Sequence, residues 1–138
     1  SMKLDLAKIN LEDNEIFLVK PLTYMNESGK AIAKFIQYLK LEAPDLFVVH
    51  DEIDLPLGKI KLYGPGGSAG HKGVDSIMKT IGHGFFRLRV GIENRREYRV
   101  PPTDDYVLQK FSPEEMKRLK EEIIPDAVDQ IQKFLISN

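Results

Sequence analysis

The sequence predicts an α/β fold: one domain over 1–138, with a twisted mixed β-sheet flanked by helices. Three observations carry this. Short apolar or alternating runs are interleaved with stretches whose apolar residues recur at helical spacing. Gly, Pro, Asn and Asp punctuate the joins between them. A length of 138 residues, 42% hydrophobic and 30% charged, suits a single core and not a disordered chain.

The elements follow in order. Residues 3–9 and 15–20 read as two strands joined at the turn-forming Glu12-Asp13-Asn14. The second, Glu15-Ile-Phe-Leu-Val-Lys20, is a continuous apolar run and reads as a buried strand that Pro21 stops. Ala31, Phe35, Ile36 and Leu39 lie at helical spacing, which predicts a helix over about 27–40. Leu46-Phe-Val-Val49 reads as a third strand ending at His50-Asp51, and Lys59–Tyr63 alternates as a half-exposed strand. A glycine-rich loop spans 64–73, a short helix 74–81, and another alternating strand 86–90. Residues 93–105, with Pro101-Pro102, read as a loop. Ser112-Pro113-Glu114-Glu115 is a helix start, with Ser112 as N-cap, Pro113 at the first helical position and Glu115 closing a capping box. That helix runs towards Ser137, with a break expected near Pro125.

Composition narrows function by exclusion. The formal net charge of −1 carries no global nucleic-acid signature, so any RNA contact must come from a local basic patch. Without cysteine there is no thiol nucleophile, disulfide or zinc–thiolate site. No run of about 18 apolar residues is present to span a membrane, and the expected location is cytoplasmic.

Three polar clusters interrupt this pattern: Thr23-Tyr24-Met25-Asn26, His50-Asp51-Glu52-Ile53-Asp54, and Gly66-Gly-Ser-Ala-Gly70-His71-Lys72-Gly73. The first two fall at expected strand ends, where open α/β sheets bind ligands. The third exposes backbone to a phosphate or carbonyl. On pattern alone each has a plainer reading: Asn26 as a helix cap, Asp51 as a turn former, His71 as a solvated loop residue. Other chemistries fail on spacing. Gly64-Pro-Gly66-Gly-Ser-Ala69 lacks the later acidic residue of a dinucleotide fingerprint, and there is no P-loop. The chain has no helical His-x-x-x-His pair to support a metal and no Gly-x-Ser-x-Gly elbow.

Together the clusters resemble the bacterial-type peptidyl-tRNA hydrolase family. The segments are Leu18-Val-Lys-Pro-Leu-Thr-Tyr-Met-Asn26-Glu-Ser-Gly29, Val48-Val-His-Asp51-Glu-Ile-Asp54-Leu-Pro-Leu-Gly58, Gly66-Gly-Ser-Ala-Gly-His71-Lys-Gly73 and Arg87-Leu-Arg89-Val-Gly-Ile92. The late Tyr106-Val-Leu and Phe111-Ser-Pro-Glu-Glu also match in order. The resemblance implies cofactor-free hydrolysis of the ester joining a peptide to tRNA, with peptidyl-tRNA as partner. It makes Asp51 the aspartate that orients a general-base imidazole. Asn26 becomes the asparagine beside the scissile ester, and His71 a second histidine of the substrate channel. Tyr24, Met25, Gly70 and Lys72 line the same channel, and Lys61 and Arg89 grip a tRNA phosphate.

Two departures qualify the resemblance. The family's N-terminal strand, its Gly-rich turn and its catalytic histidine have no match here, since His50, His71 and His83 all lie elsewhere. Lys72 stands where the family has asparagine, and Glu93-Asn-Arg-Arg replaces a glycine-led turn. The expectation is therefore an N-terminally incomplete domain without its first strand and helix, whose gap is filled by homodimerisation or strand exchange. Loss of a general base costs about 100- to 10,000-fold in rate. The competing reading is a catalytically silent tRNA-binding homologue, or inactive truncated form, that keeps Lys61, Lys72, Arg87 and Arg89. A protein-interaction domain without an RNA role is a third. Salt-dependent tRNA binding separates the last two, and turnover separates the first from the second.

Overall fold

The computed structural model describes residues 4–66, 71–95 and 101–137, with the side chains of Asp104 and Ser137 left out. Contacts divide the chain into two compact units, Ser1–Val48 with Tyr63–Arg87, and Val49–Leu62 with Leu88–Asn138.

The first unit opens on a hairpin, β1 (Leu4–Leu11) and β2 (Asn14–Pro21), paired antiparallel from Leu4↔Pro21 to Leu11↔Asn14. Glu12 and Asp13 turn the chain at φ 45° and 68°, the paired positive angles that a tight two-residue hairpin requires. β2 is not the buried strand its apolar run suggested. An antiparallel pair can cover one face only: Phe17 meets Phe35 edge-to-face at 5.6 Å and Val19 joins the core, while Leu18 points outward, 51% exposed.

A 3₁₀ turn at Met25–Glu27 leads into α1 (Ser28–Leu39), which ends where Lys40 takes the left-handed conformation at φ 58°. The expected helical face is the buried one, with Ala31, Ile32, Phe35 and Ile36 inside. α2 (Lys72–Ile81) begins two residues before the expected 74, because His71 caps it. Ile32, Ile36, Val74, Ile77, Met78 and Phe85 form the core, with Val19, Leu46, Val48 and Ile81 against it. Each fully buried side chain of this size contributes about 1.5–3 kcal/mol.

β3 (Phe47–Pro56), β4 (Ile60–Tyr63) and β5 (Phe86–Glu93) form a sheet in the order β3-β5-β4. In the second unit the Leu57 N–H donates to the Glu93 carbonyl (2.9 Å), and the Gly91 N–H to the Lys59 carbonyl (2.8 Å). β3 and β5 therefore end, and β4 begins, at one edge: β5 is parallel to β3 and antiparallel to β4, a mixed sheet. Gly58, at φ 96°, makes the β3–β4 turn.

β3 runs well past the expected stop at His50-Asp51. The polar residues there alternate, with His50 and Glu52 buried and Asp51 and Asp54 exposed, so a strand absorbs them. Residues 103–105, the end of the expected loop, open a short helix, α3 (Thr103–Val107), while 96–100 lie outside the described residues. Ser112 caps α4 (Pro113–Arg118) with the full capping box. The break expected near Pro125 is a π-helical turn at Leu119–Ile123, followed by α5 (Ile124–Ser137). Proline has no N–H and crowds the carbonyl one turn back, which a wider turn relieves. Leu119 and Ile123 pack on Leu57, Ile60 and Val90, so this helix covers the sheet in an α/β arrangement.

Candidate active site

In the first unit, the segment after β2 presents Tyr24 and Met25 at 83% and 58% exposure. Asn26 is exposed inside the 3₁₀ turn. Its side chain caps neither that turn nor α1, whose N-cap is Glu27 without a side-chain bond, so the plain capping role does not hold.

His71 is no solvated loop residue. Its Nδ1 accepts the Val74 N–H at 3.2 Å and caps α2. An accepting Nδ1 carries no proton, so the neutral ring holds its proton on Nε2 and is a donor there. A Cβ at Gly73 would lie 3.1 Å from both the Met25 Sδ and the His71 Cε1. The Met25 side chain and the His71 ring therefore both border Gly73 in the first turn of α2, where backbone N–H groups and the helix dipole favour an anion. Exposed Lys72 adds a positive charge at that end. Gly70 lies outside the described residues. His83 donates through Nδ1 to the Gly66 carbonyl at 3.2 Å.

In the second unit, Asp51 is the exposed residue between two buried ones. The His50 Nδ1–H donates to the main-chain oxygen of Asp51 at 2.8 Å. Glu52 pairs with Arg89 at 3.3 Å, with side chains only 4% and 15% exposed. Arg89, expected to face tRNA phosphate, is thus committed to a buried carboxylate, whereas Lys61 is exposed. Arg87, in the first unit, is buried as well, donating to the Gly64 carbonyl at 3.3 Å and lying over the Tyr63 ring at 5.9 Å.

Asp51 lines a cleft of about 230 Å³ with Ile92, Tyr106, Val107, Phe111 and Glu115 among its walls. Hydrogen bonds tie the walls together. The Tyr106 hydroxyl donates to the Ile92 carbonyl (2.7 Å) and accepts the Asn94 N–H (3.0 Å). The Asn94 amide donates to Glu115 (2.8 Å), whose other oxygen accepts the Ser112 N–H (2.8 Å). Arg95 lies over the Tyr106 ring at 5.0 Å and bonds both Glu93 oxygens at 2.9 Å. Burial, with Glu115 and Glu93 nearby, raises the Tyr106 phenol above its ordinary value. At Glu115 burial works upward, but the bonds from Ser112 and Asn94 outweigh it and lower the carboxyl. Among the described residues no three His, Asp or Glu side chains gather as a metal site.

The structure therefore brings Met25 and His71 together in one unit, with Asn26 next to Met25, and places Asp51, Lys61 and Arg89 in the other. Ser76, which bonds the Asn26 carbonyl, was not picked out from the sequence, and Glu52 and Tyr106 were seen only as parts of longer segments, without their partners Arg89 and Ile92. Only Glu52 had a local signal, the alternation along β3.

A family model described as peptidyl-tRNA hydrolase matches residues 1–138. The peptidyl-tRNA hydrolase of Pelagibacter ubique is 42% identical over 122 residues, covering 88% of this chain and 64% of that protein. That of Halorhodospira halophila is 40% identical, covering 95% and 66%. The chain thus spans a little under two thirds of the length of these relatives. The crystal structure of peptidyl-tRNA hydrolase from Acinetobacter baumannii superposes with a TM-score of 0.74 at 30% identity, covering 95% of this chain and 73% of that one. With a family model matched along its whole length and relatives at this level of identity, the chain belongs to the peptidyl-tRNA hydrolase family.

Proposed function

We propose that this chain binds peptidyl-tRNA and takes part in hydrolysing the ester between peptide and tRNA. The supporting observation is the meeting of Met25 with the His71-capped start of α2, next to the exposed Asn26, in a chain of this family. In this reading the Asn26 amide and the His71 Nε2–H donate to the ester carbonyl, where negative charge develops as water attacks. The carbon–oxygen ester bond breaks, the ribose hydroxyl takes up a proton, and peptide and tRNA leave. Asp51 is assigned the orienting of a general-base imidazole and the stabilising of its charged form, a base that none of His50, His71 and His83 matches. His71 is the donor in this scheme, because its Nδ1 is occupied in capping.

Tyr24, Met25 and Lys72 line the peptide side, a role the resemblance also gives to Gly70, outside the described residues. The exposed Lys61 and Lys72 meet tRNA phosphates, whereas Arg89, the other expected phosphate contact, is neutralised by Glu52. The reaction uses no cofactor and belongs in the cytoplasm, where peptidyl-tRNA is made. Among the described residues no helix is long and apolar enough to cross a membrane. β3 is an edge strand in the order β3-β5-β4, and such an edge pairs readily with another strand. A second copy, docked or exchanging a strand, is the occupant proposed here, to be checked by light scattering.

Release of labelled peptide from peptidyl-tRNA tests the reading. Asn26→Ala is expected to slow release about 100-fold, as losing one oxyanion donor does. Lys61→Ala is expected to weaken tRNA binding and to reduce its salt slope by about one. Release unaffected by Asn26→Ala would count against the proposal.

A further inference from the structure

Ser76, inside α2, shares its hydroxyl between two main-chain groups of a distant segment. It accepts the Gly29 N–H at 2.8 Å and donates to the Asn26 carbonyl at 3.0 Å. The Gly29 N–H belongs to the first turn of α1, where helices leave donors unsatisfied. α1 has no side-chain cap of its own, so Ser76 supplies one from the neighbouring helix. The approach depends on residue 29 having no side chain. A Cβ there would run into the Ser76 carbonyl oxygen and come within 2.6 Å of the Thr80 hydroxyl. That hydroxyl donates back to the Ser76 carbonyl at 3.0 Å.

We propose that Ser76 is a positioning residue that fixes Asn26 relative to His71. Both Ser76 and His71 are anchored in α2, five positions apart, about 7.5 Å along a helix axis. Holding the Asn26 carbonyl at Ser76 therefore sets the distance from the Asn26 amide to the His71 ring. The 3₁₀ turn has no side-chain cap hydrogen bond to do this in its place. Without the hydroxyl, the Asn26 carbonyl and the Gly29 N–H turn to water and the turn is released. This inference rests on the role proposed for Asn26 above.

The test is the affinity of the full chain for a peptidyl-tRNA analogue with a non-hydrolysable 3′-amide link. Asn26→Ala is expected to weaken binding about tenfold, the loss of one good polar contact. Ser76→Ala is expected to weaken it similarly, Ser76→Thr to restore it, and the double variant to bind no worse than Asn26→Ala alone. Ser76→Ala binding like the parent, or losses that multiply in the double variant, would overturn the inference. If Asn26→Ala binds normally, the reading of Asn26 falls. Ser76 is then judged by NMR: its Ala variant must still shift the Asn26 amide signals while the core signals of Val74 and Ile77 stay put. Unmoved Asn26 signals would remove the positioning role as well.

Discussion

Asn26 and Asp51 are held by different physics. Asn26 sits in a turn fastened by a hydroxyl, main-chain groups and two helices in contact at a glycine. Asp51 sits on a strand whose neighbour Glu52 is ion-paired in the interior, beside a cleft wall knit together by Tyr106, Asn94 and Glu115. The first arrangement depends on the absence of volume, and the second on charges and their protons. The first unit should therefore respond sharply to added methyl groups, and the second to changes of charge and pH.

The largest effect expected is from Glu52→Ala, which takes the carboxylate from a mostly buried Arg89. Breaking such a pair costs about 3–5 kcal/mol, to be read from urea denaturation. Glu52→Ala and Arg89→Met together should recover part of that loss. Gly29→Ala comes next, at about 3 kcal/mol, because the new methyl meets main-chain oxygen that cannot step aside. An equally stable Gly29→Ala chain would mean that α1 and α2 are not in close contact at that point.

Tyr106→Phe removes the donor to the Ile92 carbonyl and the acceptor of the Asn94 N–H, for about 1–2 kcal/mol. The smallest effect concerns acid. Glu115 has its folded-state value lowered from 4.5, so the unfolded chain binds its proton more readily. Its contribution is complete above about 4.5 and is lost as pH falls through the lowered value. Glu115→Gln should flatten that part of the stability–pH curve. Tyr106 gives the opposite sign: its value is raised from 10.0, so its contribution is present below that pH and fades as pH rises through the raised value.

Features written in adjacent residues were legible in the sequence. The Glu12-Asp13 hairpin turn, the apolar stripe of α1 and the Ser112–Glu115 capping box each rest on signals within a few positions. What depended on distant partners was not. β3 continues through His50-Asp51-Glu52 because Arg89, far along the chain, neutralises Glu52. α2 starts early because His71 turns its ring back on Val74, which a glycine-rich stretch does not advertise. For the site, Asn26, Asp51 and His71 stood out as polar residues among apolar runs. Ser76 did not, since its partners Asn26 and Gly29 lie about 50 positions away and nothing local marks it. Arg89 was legible as a basic strand residue, but its commitment to Glu52 was not.

The most direct test of the central claim is release of labelled peptide from peptidyl-tRNA by this chain and by its Asp51→Asn variant. Release by the parent chain and a fall of about 100-fold or more in the variant, with tRNA affinity unchanged, are expected. Equal release by both, or no release by either while tRNA is still bound, would contradict the claim.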